Sequence, residues 1–227
     1  MVSRRHFPPL VHQQWPLLCL IGIIIGIGLA QAALGPEWYA PGMAVPSQLE
    51  AAWHSARHGQ FPSPAIHAFA TLFTHAFLHG SPEHLTGNML FFWIFAALVA
   101  ELSGHGWMLA TFFLTAATGA IAQSLLNPGS PIPMLGASGT VMGMEGVYLG
   151  LAIRWKLPNP HIWPMSYPIP PAQLAAVGVV GVLLDYHSIL ADSPENIAFG
   201  AHLGGFFGGL LLSFLLMPKP KLAACRA

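Results

Sequence analysis

Residues 137–152, ASGTVMGMEGVYLGLA, decide how this chain folds, because small residues recur along one side of the helix that they would form. This stripe consists of Gly139, Gly143, Gly146 and Gly150. A second stripe follows in residues 199–217, at Ala201, Gly205 and Gly209, with Gly204 and Gly208 beside it. Because such stripes let the backbones of two membrane helices approach closely, we predict that these two helices pack against each other.

The composition of the whole chain is typical of a membrane protein. Of its 227 residues, 54% are hydrophobic and 7% are charged, whereas about a quarter of the residues are charged in an average soluble domain. The formal net charge is zero, so nothing favours nucleic acid as a partner. Cys19 and Cys225 lie near opposite ends of the chain and predict neither a disulfide framework nor a metal site.

Apolar runs of the length that a bilayer requires, roughly 20 residues, predict an all-α membrane protein with six transmembrane helices. The predicted spans are residues 16–34, 84–101, 106–126, 137–153, 171–190 and 199–217. Between the first two lies the segment 35–83, which contains Pro36, Pro41, Pro46, Pro62, Pro64 and Pro82. A segment so interrupted by proline does not span, and we predict a structured outer loop at the membrane interface.

The basic residues predict the orientation of this bundle. With a cytoplasmic N-terminus, seven of the eight Lys and Arg residues fall on the inner side and only Arg57 falls outside, in agreement with the positive-inside rule. Both termini are then cytoplasmic, with tails at residues 1–15 and 218–227 around a six-helix membrane domain at residues 16–217. We expect a multi-pass protein of the cell (inner) membrane.

The first span has an alternative interpretation. Arg4 and Arg5, followed by an apolar run and then by the tripeptide Ala30-Gln31-Ala32, also outline a cleavable signal peptide. The apolar run is rather long for that role, which favours a span that is retained. Cleavage there would leave the topology of the remaining helices unchanged.

Four polar residues fall at a similar predicted depth, near the outer ends of three helices that run inward. They are His84 and Asn88 in the second span, Ser138 in the fourth and His202 in the sixth. Each alone has an ordinary explanation, such as a helix cap or a hydrogen bond between helices. Their convergence at one level suggests chemistry, because polar groups inside a span are costly unless they are paired or functional.

The pair of serine and histidine predicts nucleophilic catalysis. A serine hydroxyl attacks well only when a base removes its proton, and histidine titrates in the right range. We therefore predict that His202 activates Ser138, as a dyad, because no carboxylate is obviously placed to complete a triad. The backbone N–H of Ser138, the Asn88 amide and His84 would supply donors to the oxyanion of an acyl-transfer reaction.

The stretches HGSPEHLTGNMLFFWIF, GASG and AHLGGFFGG resemble the rhomboid family of intramembrane serine proteases, and its bacterial members in particular. The resemblance extends from about residue 73 to residue 216. It implies that Ser138 is the nucleophile and His202 the base. It also implies that His84 and Asn88 stabilise the oxyanion.

The resemblance has further implications for packing and partners. The packing glycines of the family fall on Gly205 and Gly209, and our predicted small residues near the site also include Gly136, Gly139 and Gly143. The family implies no metal and no other cofactor, and its substrates are single-span membrane proteins in the lipid bilayer. Some members carry an aromatic residue one turn below the serine, stacked on the histidine, where this chain has Met142.

Other hypotheses remain open. A rhomboid-like protein that binds membrane clients without cutting them would have no chemical need for an intact serine–histidine pair. Glu145 allows a small transporter with a proton or ion pathway, although a hydrogen-bonded structural carboxyl is the simpler interpretation. The spacing of His75, His79 and His84 suggests metal binding, but no carboxylate or cysteine completes the set, and we predict no metal site.

Overall fold

The computed structural model is built almost entirely of helices. It describes residues 10–157 and 197–220, together with residues 172, 173, 176, 179, 180, 183, 224 and 225. The helices are α1 (Leu10–Leu34), α2 (Pro36–Tyr39), α3 (Pro46–Arg57), α4 (Ser63–Thr74), α5 (Pro82–Ser103), α6 (His105–Leu126), α7 (Ser138–Arg154) and α8 (Phe199–Leu215). Two short strands, β1 (Trp155–Lys156) and β2 (Ala224–Cys225), pair antiparallel. The fold is therefore all-α, as predicted.

Three helices in the described part of the chain are long and apolar enough to cross a membrane. They are Gln14–Leu34 within α1, Pro82–Ser103 and His105–Leu126. The helices α7 and α8 have 17 residues each, close to the predicted fourth and sixth spans. The predicted fifth span, at residues 171–190, lies largely outside the described residues, so the number of spans remains a prediction.

The first helix extends further than the hydropathy predicts. It begins at Leu10 instead of residue 16, and Pro16 lies inside it. Leu17, Leu20 and Ile24 are buried and belong to the main hydrophobic core. Because these side chains pack against other helices of the protein, α1 is an integral part of the bundle.

The helix α8 packs most extensively on α7, and their small residues lie at the contact. A Cβ atom added to Gly205 would collide with the carbonyl of Gly139, and one added to Gly209 would collide with the carbonyl of Gly143. A Cβ on Gly146 would meet the backbone of α8 in the same way. The two backbones therefore touch directly along this seam, which requires small residues there.

A second row of small residues on α8 faces α6. An added Cβ on Gly204 or Gly208 would collide with residues of α6, including Thr118. In return, Gly119 of α6 lies against the backbone carbonyl of Ala201. Gly143 was predicted to face α8 as part of the stripe on α7. A Cβ added to Gly143 would instead collide with Thr115 of α6, and only the carbonyl of Gly143 faces α8. The three helices therefore form one close-packed group.

The segment between α1 and α5 is folded against the loop that precedes α7. Leu49 and Ala52 of α3 share a small core with Ala65 and Ala68 of α4. Further along, the backbones of Ala44 and Met134 exchange two hydrogen bonds of 3.1 and 2.8 Å, and Ser47 N–H donates to the Ser130 carbonyl. This segment thereby fixes the approach of the chain to α7.

The opposite ends of α7 and α8 are joined by an arginine. The guanidinium of Arg154 donates to the carbonyls of Ser213 and Met217 and lies over the ring of Trp155. Carbonyls in the last turn of a helix have no partner within it, so the donation to Ser213 satisfies one of them at the end of α8. This contact closes the far end of the seam between the two helices.

Candidate active site

Ser138 and His202 meet where α7 and α8 begin. The Nε2 atom of His202 lies 2.8 Å from the Oγ atom of Ser138, which is hydrogen-bond distance. Ser138 is the first residue of α7, and both side chains are half-buried. Its hydroxyl therefore pairs with an imidazole. In a helix cap, a serine hydroxyl would instead accept a hydrogen bond from a backbone N–H. Because neither side chain is fully buried, the pair is accessible from the surface of the protein.

The backbone contact beneath this pair fixes its separation. Gly139, the residue after the serine, would place an added Cβ only 3.0 Å from the carbonyl oxygen of Ala201, the residue before the histidine. The Gly205 contact lies one turn further along α8. Since the neighbours of the pair touch through backbone atoms, the backbone positions that carry the two side chains are held close together.

Asn88 presents an amide that the described residues leave without a partner. Its Nδ2 atom is buried and makes no hydrogen bond. It lies 3.8 Å from the position that a Cβ on Gly136 would occupy, two residues before the serine. A buried donor without a partner costs about 1–3 kcal/mol, so a group that accepts from it would be bound favourably. A developing oxyanion is such an acceptor.

His84 lies one turn before Asn88 on α5, and its ring is held in one orientation. Its Nδ1 accepts a hydrogen bond from the Gly80 N–H at 3.4 Å. In a neutral ring the proton then resides on Nε2, which is a donor. That edge of the ring lies against Gly136, whose φ of 128° favours glycine. Both donors therefore face the turn that leads into α7.

A second layer of histidines supports that turn. The Gly136 N–H donates to the carbonyl of His75 at 2.9 Å, and the Ala137 N–H donates to Nε2 of His79 at 3.4 Å. His75 in turn bonds through Nδ1 to the Thr71 carbonyl at 2.8 Å. Burial lowers the pKa of His75 and of His79 to about 4, which keeps both rings neutral at pH 7. Within the described residues, no three potential ligands converge as a metal site.

One residue beside the pair, Phe199, was not singled out by the sequence. The ring of Phe199 meets that of His202 edge to face, with centroids 6.2 Å apart and planes at 88°. The two residues are three apart on α8, a spacing that brings side chains together and could have identified the contact. Glu145, which the sequence did single out, is buried within α7 and is not assigned to the site.

Comparison with known proteins supports the interpretation of the fold. A family model described as the rhomboid domain matches residues 67–219. Rhomboid-like protein 11, chloroplastic, from Arabidopsis thaliana is 26% identical over 163 residues, covering 70% of this chain and 55% of the relative. The putative rhomboid protease YdcA of Bacillus subtilis is 28% identical, covering 66% of this chain and 68% of the relative.

A third relative is the rhomboid protease GlpG of Pectobacterium atrosepticum, 29% identical over 144 residues, which cover 63% of this chain and 46% of the relative. The chain thus spans about half the length of two of these three relatives. The family match and the long apolar helices indicate a multi-pass membrane protein. Because the family model matches about two thirds of the sequence, the chain belongs to the rhomboid family.

Proposed function

We propose that this protein is an intramembrane serine endopeptidase, with Ser138 as nucleophile and His202 as general base. One observation carries the proposal, namely the 2.8 Å contact between Nε2 and Oγ at the adjacent starts of two helices. A base at that distance can take the hydroxyl proton as the oxygen attacks. The names of relatives described as rhomboid proteases support the same activity.

The proposed reaction proceeds through an acyl-enzyme. The Oγ of Ser138 forms a bond to the carbonyl carbon of the substrate, and its proton passes to Nε2 of His202. The carbonyl oxygen becomes an oxyanion that accepts from the Asn88 amide, the His84 Nε2–H and the Ser138 backbone N–H. The C–N bond then breaks as His202 returns the proton to the leaving amine. Water, deprotonated by the same imidazole, releases the acyl group.

The topology of the proposed enzyme follows from the positive-inside rule. We infer six spans with both termini cytoplasmic, in the cell (inner) membrane, with the dyad near the outer surface. Its substrates would be single-span membrane proteins. An amide within a substrate helix is protected by the hydrogen bonds of that helix, so the segment must unwind locally before attack. Cleavage near the outer end of the substrate span is therefore expected.

A fluorophosphonate probe tests this function directly. Such a probe forms a bond from phosphorus to an activated serine oxygen and releases fluoride, and we expect the label on Ser138. The variants Ser138→Ala and His202→Ala should lose both the label and cleavage of a model transmembrane substrate. Ser124→Ala is the matched control, since the Ser124 hydroxyl donates only to the Ala120 carbonyl of its own helix.

The same measurement separates the rival functions. A rhomboid-like protein that binds clients without cutting them would bind the substrate but take up no label on Ser138. A transporter would retain its function in Ser138→Ala. Efficient labelling together with abolished cleavage in Ser138→Ala is the outcome expected of the protease.

A further inference from the structure

Gln31, near the end of α1, forms a paired contact with the backbone of His79. Its Nε2 donates to the His79 carbonyl at 3.1 Å, and its Oε1 accepts from the His79 N–H at 2.9 Å. The side chain is 5% exposed, so both hydrogen bonds lie away from water. A side-chain amide that pairs with a peptide in this way fixes the position and the orientation of that peptide.

The peptide held by Gln31 carries the imidazole that supports the start of α7. His79 accepts from the Ala137 N–H, and Ala137 immediately precedes Ser138. This acceptor role requires a neutral ring with its proton on Nδ1, and the lowered pKa of His79, caused mainly by burial, is consistent with it. A continuous series of hydrogen bonds therefore runs from α1 to the residue before the proposed nucleophile.

We propose that Gln31 is a positioning residue for the active site, acting through His79 to hold the turn that places Ser138 against His202. The proposal rests on the proposed function, because it assigns a role in the same site. It also makes α1 part of that site. Cleavage of the first span after Ala32 would remove Gln31 along with it, so the proposal requires that this span be retained.

Gln14 provides a matched control within the same helix. It is also buried, at 7% exposed, and it accepts a hydrogen bond from the Nε1 atom of Trp93 at 3.3 Å. It lies 17 residues before Gln31, which corresponds to about 25 Å along a helix. Substitution of either glutamine by methionine preserves length and apolar fit while removing the hydrogen bonds. Only the Gln31 change should affect the site.

The experiment compares Gln31→Met, Gln31→Glu and Gln14→Met in the full-length protein. We expect Gln31→Met to lower kcat and the rate of fluorophosphonate labelling about tenfold, with KM within about twofold, because ground-state binding does not depend on the serine position. Gln31→Glu keeps the acceptor for the His79 N–H and should be intermediate. Gln14→Met should lose about as much thermal stability as Gln31→Met, while its rate of labelling should stay within about twofold of the wild-type rate.

Hydrogen exchange gives a second readout that does not depend on catalysis. The amides of Gly136 and Ala137 donate within the supporting layer, so their exchange should accelerate at least about fivefold in Gln31→Met and not in Gln14→Met. Unchanged exchange and labelling in Gln31→Met would overturn the positioning role, as would equal losses in the two methionine variants. If wild-type protein takes up no label, the protease function fails, while accelerated exchange would still support the structural link.

Discussion

Gly205 of α8 lies against the carbonyl of Gly139 in α7, at a separation that excludes even a methyl group. Gly205→Ala should therefore push the two helices apart, destabilising the protein by about 1–3 kcal/mol, and it should inactivate the enzyme as the dyad separates. Gly22→Ala is the control, since an added Cβ at Gly22 meets nothing within 4 Å. Thermal unfolding and substrate cleavage measured on both variants check the prediction. A stable, active Gly205→Ala protein would contradict the direct backbone contact between α7 and α8.

The proposed oxyanion role of Asn88 predicts a specific kinetic change. Asn88→Ala should reduce kcat by about a hundredfold or more with little change in KM, because a donor to the oxyanion acts mainly in the transition state. Asn127→Ala is a suitable control, since the Asn127 amide donates to the Gln123 carbonyl on the exposed end of α6. If Asn88→Ala raised KM and left kcat intact, Asn88 would be a binding residue.

Gly136 allows backbone strain to be separated from contact with the site. Gly136→Ala places a methyl group at a positive φ and within 2.7 Å of the His84 ring. Gly129→Ala also places a methyl group at a positive φ, of 69°, but meets nothing within 4 Å. We expect about 1–2 kcal/mol of destabilisation from conformation in Gly129→Ala. Gly136→Ala should lose more, because its φ of 128° lies outside the left-handed helical region, and only Gly136→Ala should lose labelling. Equal labelling of the two variants would show that His84 does not depend on that contact.

The buried histidines predict a fall in stability at acidic pH. In the folded protein the pKa of His79 is about 4, below its ordinary value of 6.5, so the unfolded chain binds protons first as pH falls. Stability is therefore complete above about pH 6.5 and declines as pH falls from there toward 4. Thermal midpoints measured between pH 7 and pH 4.5 should decrease, and His79→Gln should reduce the slope. An unchanged slope in His79→Gln would assign the dependence to other groups.

The inferred position of the dyad near the outer surface predicts where substrates are cut. Mass spectrometry of fragments from a substrate of known topology should locate cleavage near the outer end of its span. Small or helix-breaking residues near the cut should increase turnover, because local unwinding of the substrate helix then costs less free energy. Cuts at the cytoplasmic end would contradict the inferred orientation.

Local sequence patterns account for the helices that surround the site. The apolar run predicted at 84–101 corresponds to Pro82–Ser103, since Ser81 caps the helix by accepting from the His84 N–H and proline follows it. The small-residue spacing indicates close packing in the same way. Which neighbour each glycine meets depends on the arrangement of three helices, and the contact of Gly143 with Thr115 could not be read from one of them.

Local sequence patterns could not predict the contacts that support the site. Gln31 meets the backbone of His79 across 48 residues of sequence, and a glutamine in an apolar run has no periodic signal that identifies its partner. The contact between Phe199 and His202 is a different case, because both lie on one helix at a spacing of three. Contacts within an element were therefore predictable, while contacts between distant elements required the tertiary fold.

The two rows of glycines on α8 also determine which substitutions this helix can accept. Its glycine rows fix translation along the axis, and a shift by one turn would carry His202 about 5.4 Å from its partner. On the remaining face, Leu211 and Leu215 are exposed within the described part of the chain. We therefore expect α8 to tolerate substitution mainly on this exposed side, where one apolar residue can replace another without altering the position of His202.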